Sequence, residues 1–379
     1  MLRRYRKIEG DMPLSSGEDR GQYFVCSYCL LSSSISLYLQ SKRSLRKLNN
    51  KFNELDIQMN NAIAKCAPVV IPTLNRYVHF RRCLESLEKC TWAGLTEIYV
   101  GLDYPPSEKY IEGWKKIDSY LKEKEVSNKF KNLYVWRRTS NCGVGKIGGN
   151  SYLLFEEVKK KYEEYIFSED DVEFSPNFLI YMNKALNKYR DNSKVVKISA
   201  YTDPIFKGIT EHSTFCGIDF SAYGAGAWFK KDMLLMKYSN DEISKDLHKS
   251  FLRTLKFFFI SPALVNSAVH MVVGNHSYGD IRYSMYNLVK GTVSIQPSAS
   301  ITRNWGADGS GLHSGVVKGM EKYEIQTERT FELDDIPIEV TRQYRKKLFY
   351  YRMPKNKFKF VVYWCYDFIY LFCFYFFRK

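Results

Sequence analysis

From Ala67 to Ile198, short apolar runs alternate with segments of helical period. No other feature of the chain limits its fold as strongly. Pro68-Val69-Val70-Ile71-Pro72, Glu97 to Leu102, Leu133 to Trp136, Tyr165-Ile166-Phe167 and Val195 to Ile198 read as five strands. Between them Tyr77, Phe80, Leu84 and Leu87 recur at helical spacing, as do Ile111, Trp114, Ile117 and Leu121. Leu154, Val158 and Tyr162, then Phe178, Met182, Ala185 and Tyr189, mark two more helices. Strands alternating with helices predict the α/β class, with a mainly parallel sheet covered by helices on both faces. Ligands of such sheets bind beyond the carboxyl ends of the strands. Asn75, Asp103, Asn141 and Asp171 all fall at or just past those ends.

The remaining segments read as additions to this domain. Residues 1–66 form a peripheral N-terminal extension that opens on Arg3, Arg4, Arg6 and Lys7. Its apolar stretch 23–39 is shorter than the roughly 20 residues of a spanning helix and carries no secretory cleavage pattern. A signal anchor is the lesser alternative there. Residues 67–315 make up the main domain. Within it, 200–315 is rich in Gly, Tyr and Ser and is expected to form long loops and an irregular antiparallel extension. Residues 316–357 are a peripheral C-terminal segment, and 358–379 are a hydrophobic tail. The nine cysteines form an odd, scattered set, which points to a reducing compartment. Cys26-x-x-Cys29 lacks the second pair that a zinc site needs.

Lys and Arg total 57 against 41 Asp and Glu, a net charge of +16. That excess suits an anionic partner: nucleic acid, an anionic membrane face or a phosphorylated substrate. The basic residues are dispersed rather than clustered with stacking aromatics, which argues against nucleic acid. Gly143-Val144-Gly145-Lys146-Ile147-Gly148 matches the G-x-G-x-x-G pattern and keeps an NAD(P)- or flavin-dependent oxidoreductase open as the alternative. Polar Arg137 to Cys142 separates it from its strand, where a dinucleotide site wants the first glycine at the strand end. Lys146 is followed by Ile147, so there is no P-loop.

Glu169-Asp170-Asp171 follows the fourth strand directly, and Ser175-Pro176 opens a helix shortly after. Adjacent carboxylates repel unless a cation or donor groups neutralise them. At a strand end they are well placed to hold a hard divalent metal, which can in turn neutralise a diphosphate. The plain alternative is an acidic helix start complementing the helix dipole.

The chain resembles nucleotide-sugar-dependent glycosyltransferases of the GT-A fold, a Rossmann-like architecture. Val69 to Arg76, Arg81 to Leu87, Asp103 and Asn141-Cys142-Gly143 carry the likeness. Glu169 to Phe178 is its most specific part. It is similar to the acidic motif of alpha-1,3-mannosyl-glycoprotein N-acetylglucosaminyltransferase I, where an acidic triple precedes a Pro-x-Phe helix start. The order of motifs also matches bacterial family-two-like transferases, and the likeness covers about residues 67–315. It implies an inverting, metal-dependent transfer of a sugar from a nucleoside diphosphate to a glycan or lipid-linked acceptor in surface polysaccharide synthesis.

The resemblance also implies roles for individual residues. Thr73, Asn75 and Arg76 would touch the nucleotide, and Asp103 would accept from the base. Glu169 and Asp170 would hold ribose and sugar hydroxyls. Asn141, Gly143, Lys146 and Trp228 complete the expected substrate contacts. Asp171 would bind Mn2+ or Mg2+ directly. Asp280, after Gly279, would deprotonate the acceptor, with Asp203, Glu211 and Asp219 as rivals; glycine stands where such enzymes often carry a first acid. Asn304 to His313 resembles a loop that closes over the donor. His313 could complete the metal's ligands and tilt preference toward Mn2+.

The tail from Phe360 to Phe377 is apolar and aromatic around Asp367, with Lys355, Lys357 and Lys359 before it. A charge at mid-helix costs about 2.5–3.5 kcal/mol on insertion scales, and Tyr and Trp favour the interface. The tail is expected to lie partly inserted on an anionic membrane surface rather than to span it. The protein is then cytoplasmic and peripheral on the inner membrane face.

Overall fold

The computed structural model describes residues 66–143, 148–311, 316, 324–351 and 353–377, all in one unit, Cys66–Lys379. The expectations for the extension before Cys66, for Gly145 and Lys146, and for His313 lie outside the described residues.

All five predicted strands are present, the first four as β1 (Val69–Thr73), β2 (Glu97–Leu102), β3 (Asn132–Arg137) and β4 (Glu164–Phe167), the fifth at Val195–Ser199. Four helices follow the helical periodicities: α1 (Tyr77–Glu88), α2 (Ile111–Val126), α3 (Asn150–Lys159) and α4 (Phe178–Tyr189). The short β5 (Val172–Phe174) comes directly after the acidic turn. Side chains alternate across a strand, so β1 feeds both faces of the sheet. Val69 and Ile71 pack with Leu84, Ile117 and Met182 from α1, α2 and α4. Val70 packs on the other side with Leu154 and Val158 of α3.

The sheet continues through β6 (Val195–Ser199), β7 (Thr214–Gly217), β8 (Ala225–Trp228) and β9 (Val293–Pro297), in the order β3-β2-β1-β4-β8-β6-β9-β7. Strands β1 to β4 are mutually parallel, and β6 and β9 run with them; β8 and β7 run against their neighbours. The protein is therefore α/β, with a mainly parallel sheet covered on both faces. Antiparallel β8 is inserted between β4 and β6, so the fourth and fifth predicted strands are not neighbours.

The expectation of long loops and strands over 200–315 holds only in part. Strands β7 and β8 are antiparallel, and β10 (Thr302–Asn304) pairs antiparallel with β5. Yet Phe229 to Lys290 is helical: α5 (Phe229–Met236), α6 (Asn240–His248), α7 (Phe251–Ile260), α8 (Pro262–Val273) and α9 (Gly279–Lys290). Serines set three of the starts. Ser239, Ser250 and Ser261 each accept a hydrogen bond from the backbone N–H three residues on, satisfying donors that a helix start leaves unpaired. The C-terminal α10 (Arg342–Tyr350) and α11 (Lys357–Phe377) join this helical lobe. Its core gathers Phe258, Val265, Val269, Met285, Tyr344 and Leu371 among others.

Candidate active site

Strand β1 lies between β2 and β4. The chain leaves β1 for β2 on one flank and returns through β4 on the other, so the carboxyl ends of β1 and β4 open a crevice at a topological switch point. Thr73 and Arg76 come from the β1 side, and Glu169, Asp170 and Asp171 from the β4 side. Thr73 Oγ1 donates to Asp170 Oδ2 at 2.8 Å. One guanidinium nitrogen of Arg76 donates to Asp170, and the other stands 2.7 Å from Asp171 Oδ2. Asp170 and Asp171 are both buried. Burial pushes the Asp170 carboxyl up, with Arg76 pulling against it and Asp171 adding to the rise. Burial also opposes the Arg76 charge, but the two aspartates outweigh it and the group stays ionised.

The base of the 304–311 loop orients Asp171. Asn304 Nδ2 donates to Asp171 Oδ1 at 2.7 Å, and Asn304 Oδ1 accepts from the Gly306 N–H at 2.8 Å. A Cβ on Gly306 would stand 2.0 Å from Asp171 Oδ2, so only glycine admits this approach. Trp305 Nε1 donates to Glu173 at 2.8 Å, and the indole lies between the guanidinium groups of Arg82 and Arg303, at 4.1 and 4.5 Å. Farther along, Asp308 Oδ2 meets His79 Nε2 at 2.9 Å. The expected closing loop is thus anchored at Trp305 and latched to α1 at Asp308.

Glu169 is half-buried, with its pKa pushed up to about 8. Burial is the first cause, followed by the charges of Asp171, Asp280 and Asp170. Asp280 is the second residue of α9 and exposed, and its charge reaches Glu169. The Tyr223 phenol is raised by burial and then by Glu169, Asp280 and Asp171, so it borders the same space. Tyr201 meets it edge-on at 5.2 Å.

The rival carboxylates are engaged elsewhere or lie in the open. Asp203 caps a short turn by accepting from Ile205 N at 2.9 Å. Asp219 takes the Tyr344 hydroxyl and, at 3.0 Å, Gln296 Nε2. Glu211 is exposed.

Asp103, Asn141 and Gly143 also come together. Asp103 accepts from Tyr104 N and Cys142 N at 2.9 Å, from Gly143 N at 3.1 Å and from Asn141 Nδ2 at 3.3 Å. Its own N–H bonds Thr73 O at 2.9 Å. A carboxylate offers about four lone-pair sites, and these four donors use them to tie the 141–143 loop to the end of β2. Asn75 sits at the expected turn, its carbonyl so close to α2 that a Cβ on Gly113 would lie 2.1 Å away.

Trp228 requires a correction. It was expected among the substrate contacts, but β8 runs antiparallel to β4 and pairs Trp228 with Glu164, at the start of β4. The indole is buried in the main core with Lys231 3.9 Å above it. It lies about 10 Å along the strand from the end that carries the acidic turn.

Among the described residues no three His, Cys, Asp or Glu side chains converge as a metal-binding group. The site fits a divalent cation in a narrower sense. Glu169, Asp170 and Asp171 stand together with the Arg76 guanidinium, and burial first, then the charges of Asp171, Asp280 and Asp170, raises Glu169. Small hard cations are commonly held by one or two carboxylates with phosphate and water completing the shell. Asp171, oriented by Asn304, is the carboxylate placed to do so.

Asn304 and Gly306 as partners of Asp171, and Tyr223 beside Glu169, were not readable in advance. Asn-x-Gly at 304–306 could have suggested a side chain capping a tight turn. No local pattern pairs Asn304 with an aspartate 133 positions earlier.

No protein-family model matches the chain, and no curated protein matches it. Among solved structures the chain is similar to the mannosyltransferase PcManGT from Pyrobaculum calidifontis in complex with GDP-Man and Mn2+. That similarity is at 12% identity and a TM-score of 0.30, over 44% of this chain and 45% of that one. It is also similar to S. aureus TarS, at 15% identity and a TM-score of 0.25, over 42% of this chain and 27% of that one. The chain spans less than half the length of either structure.

Proposed function

We propose that this chain is an inverting glycosyltransferase of GT-A type, its catalytic domain spanning about residues 67–315. It would move a sugar from a nucleoside diphosphate, with Mn2+ or Mg2+, to a hydroxyl of a glycan or lipid-linked acceptor in surface polysaccharide synthesis. The joining of Thr73, Arg76, Asp170 and Asp171 in the switch-point crevice carries the reading. A cation held by Asp171 would offset charge on the leaving diphosphate. Arg76 brings a permanent, fork-shaped positive group suited to phosphate oxygens. Glu169, raised by burial and by the neighbouring carboxylates, would offer hydrogen bonds to sugar hydroxyls.

Asp280 takes the proton of the acceptor hydroxyl. The acceptor oxygen then bonds to the anomeric carbon as that carbon's bond to the diphosphate oxygen breaks. A single displacement of this kind inverts the anomeric centre. Asp103, whose lone pairs are taken by Tyr104, Cys142, Gly143 and Asn141, would shape the neighbouring rim without itself accepting from the base.

The oxidoreductase alternative lacks comparable support. Strand β3 is an edge strand away from the switch point, and the Gly143 N–H is already given to Asp103. Calorimetric titration with UDP, GDP, CDP and ADP, each with and without Mn2+, tests the proposal. Binding of one nucleotide, strengthened by Mn2+, is expected. Binding of none of them overturns it.

A further inference from the structure

Helix α11 is apolar on both sides, and the protein uses one of them. Asp367, Leu371 and Phe374 face the helical lobe. Asn266 Nδ2 donates to Asp367 Oδ1 at 2.7 Å, and the His270 ring stacks on Tyr370 at 4.2 Å, both from α8. On the opposite side Phe358, Val361, Tyr366, Ile369, Phe372 and Phe376 are exposed. At 3.6 residues per turn these positions fall on one stripe. Asp367 is the only charged residue between Phe360 and Phe377, and it is turned inward. On α7, Leu252 and Phe259 are exposed on either side of exposed Lys256, and Phe251 stands 5.3 Å from Phe376. An apolar face as continuous as that of α11 marks an interaction site.

We propose that the outer face of α11, with the adjoining edge of α7, docks flat on an anionic lipid bilayer. Charge decides for lipid over a protein partner. No acidic residue occurs between Thr341 and Phe360, whereas Arg342, Arg345, Lys346, Lys355, Lys357 and Lys359 are exposed there. The Tyr350 ring, 5.7 Å from Phe360, ties this basic segment to the start of α11. An uncharged aromatic face on α11 preceded by a segment whose charges are all basic matches acyl chains beneath anionic headgroups. The geometry also fixes the mode of attachment. One side of α11 is committed to α8, and Asp367 is held on that side by Asn266, so the helix lies in the plane of the interface instead of crossing it. This docking face would serve the protein whatever reaction its crevice performs.

Co-sedimentation of the full chain with phosphatidylcholine vesicles, alone and mixed with phosphatidylglycerol, tests the docking. Binding to the mixed vesicles is expected to exceed binding to the neutral ones and to weaken as salt rises. I369E/F372E should abolish it, with circular dichroism unchanged because both side chains point outward. K355Q/K357Q/K359Q should weaken it by about five-fold per lysine. F259E, on α7, provides a second outward charge should I369E/F372E fail to fold. The proposal is overturned if the full chain stays in the supernatant with mixed vesicles, or if the glutamate variants bind as well as the parent. It is equally overturned if light scattering shows a dimer that I369E/F372E breaks while neither form binds vesicles.

Discussion

Asp171 is gripped by two unlike partners, and each predicts its own phenotype. Arg76 balances its charge, while Asn304 fixes its orientation. Asp171→Asn keeps the shape but removes the charge that a hard cation needs, so Mn2+-stimulated donor turnover should fall about a hundredfold or more. The thermal midpoint should move little, since a neutral partner in place of Asp171 still leaves Arg76 its bond to Asp170. A donor-hydrolysis assay over a Mn2+ series would read this, and unchanged turnover would reduce the acidic turn to a helix start. Asp280 acts at a different step. Asp280→Asn should lower transfer by about 10²–10⁴-fold, the usual worth of a positioned base, yet leave calorimetric binding of the donor nucleotide intact. If donor binding falls with it, Asp280 holds the donor and is not the base.

At the scale of elements, the 304–311 loop is held at two points of unequal strength. Trp305 is pinned by Glu173 and two guanidinium groups, whereas Asp308 beyond it is exposed and held by Ser310 and His79. Ser310 chiefly, with His79, holds the Asp308 carboxyl down at about 2, below the ordinary aspartate value near 3.9. A depressed carboxylate stabilises its contact fully above the unfolded value and loses that contribution as pH falls from about 4 toward 2. Hydrogen exchange of residues 304–311 should therefore stay slow at neutral pH and quicken, after correction for intrinsic rates, only below about pH 4. Asp308→Asn should quicken it at neutral pH, and equal protection in the two proteins would remove the latch. Sequence patterning found β1 to β4 and β6 because they are short apolar runs, buried on both faces of the sheet at β1 and β6, and α1 to α4 because their apolar residues recur on one face each. It missed the helical lobe because the Gly and Tyr around it suggested loops. The Ile243–Leu247 and Val265–Val269 spacings and the capping serines at 239, 250 and 261 were the available signals. The ends of the strands located the crevice, but the strand order that makes it a switch point depends on which side of β1 the chain returns, and no local pattern records that. Trp228 was misplaced for the same reason, since its position follows from β8 running antiparallel.

At the scale of the molecule, the lobe that would meet lipid also carries Asp280. Helix α9, which holds Asp280, buries Met285 and Leu288 in the same core that receives Leu371 and Phe374 from α11. Full burial of side chains of that size is worth about 1.5–3 kcal/mol each, so the two contribute about 3–6 kcal/mol, a large part of the 5–15 kcal/mol that typically holds a domain together. Removal of 358–379 should therefore do more than detach an anchor. Scanning calorimetry should show the lobe melting ahead of the sheet, with amides of α6 to α9 losing exchange protection first. Transfer should collapse because Asp280 loses its support. Binding of the donor nucleotide should survive, since Thr73, Arg76, Asp170 and Asp171 rest on β1 and β4. An independent membrane anchor would behave otherwise: the shortened chain would be soluble, melt as the parent does and keep full transfer. That outcome would show that the packing of α11 on α8 contributes little, and that the lobe stands without its tail.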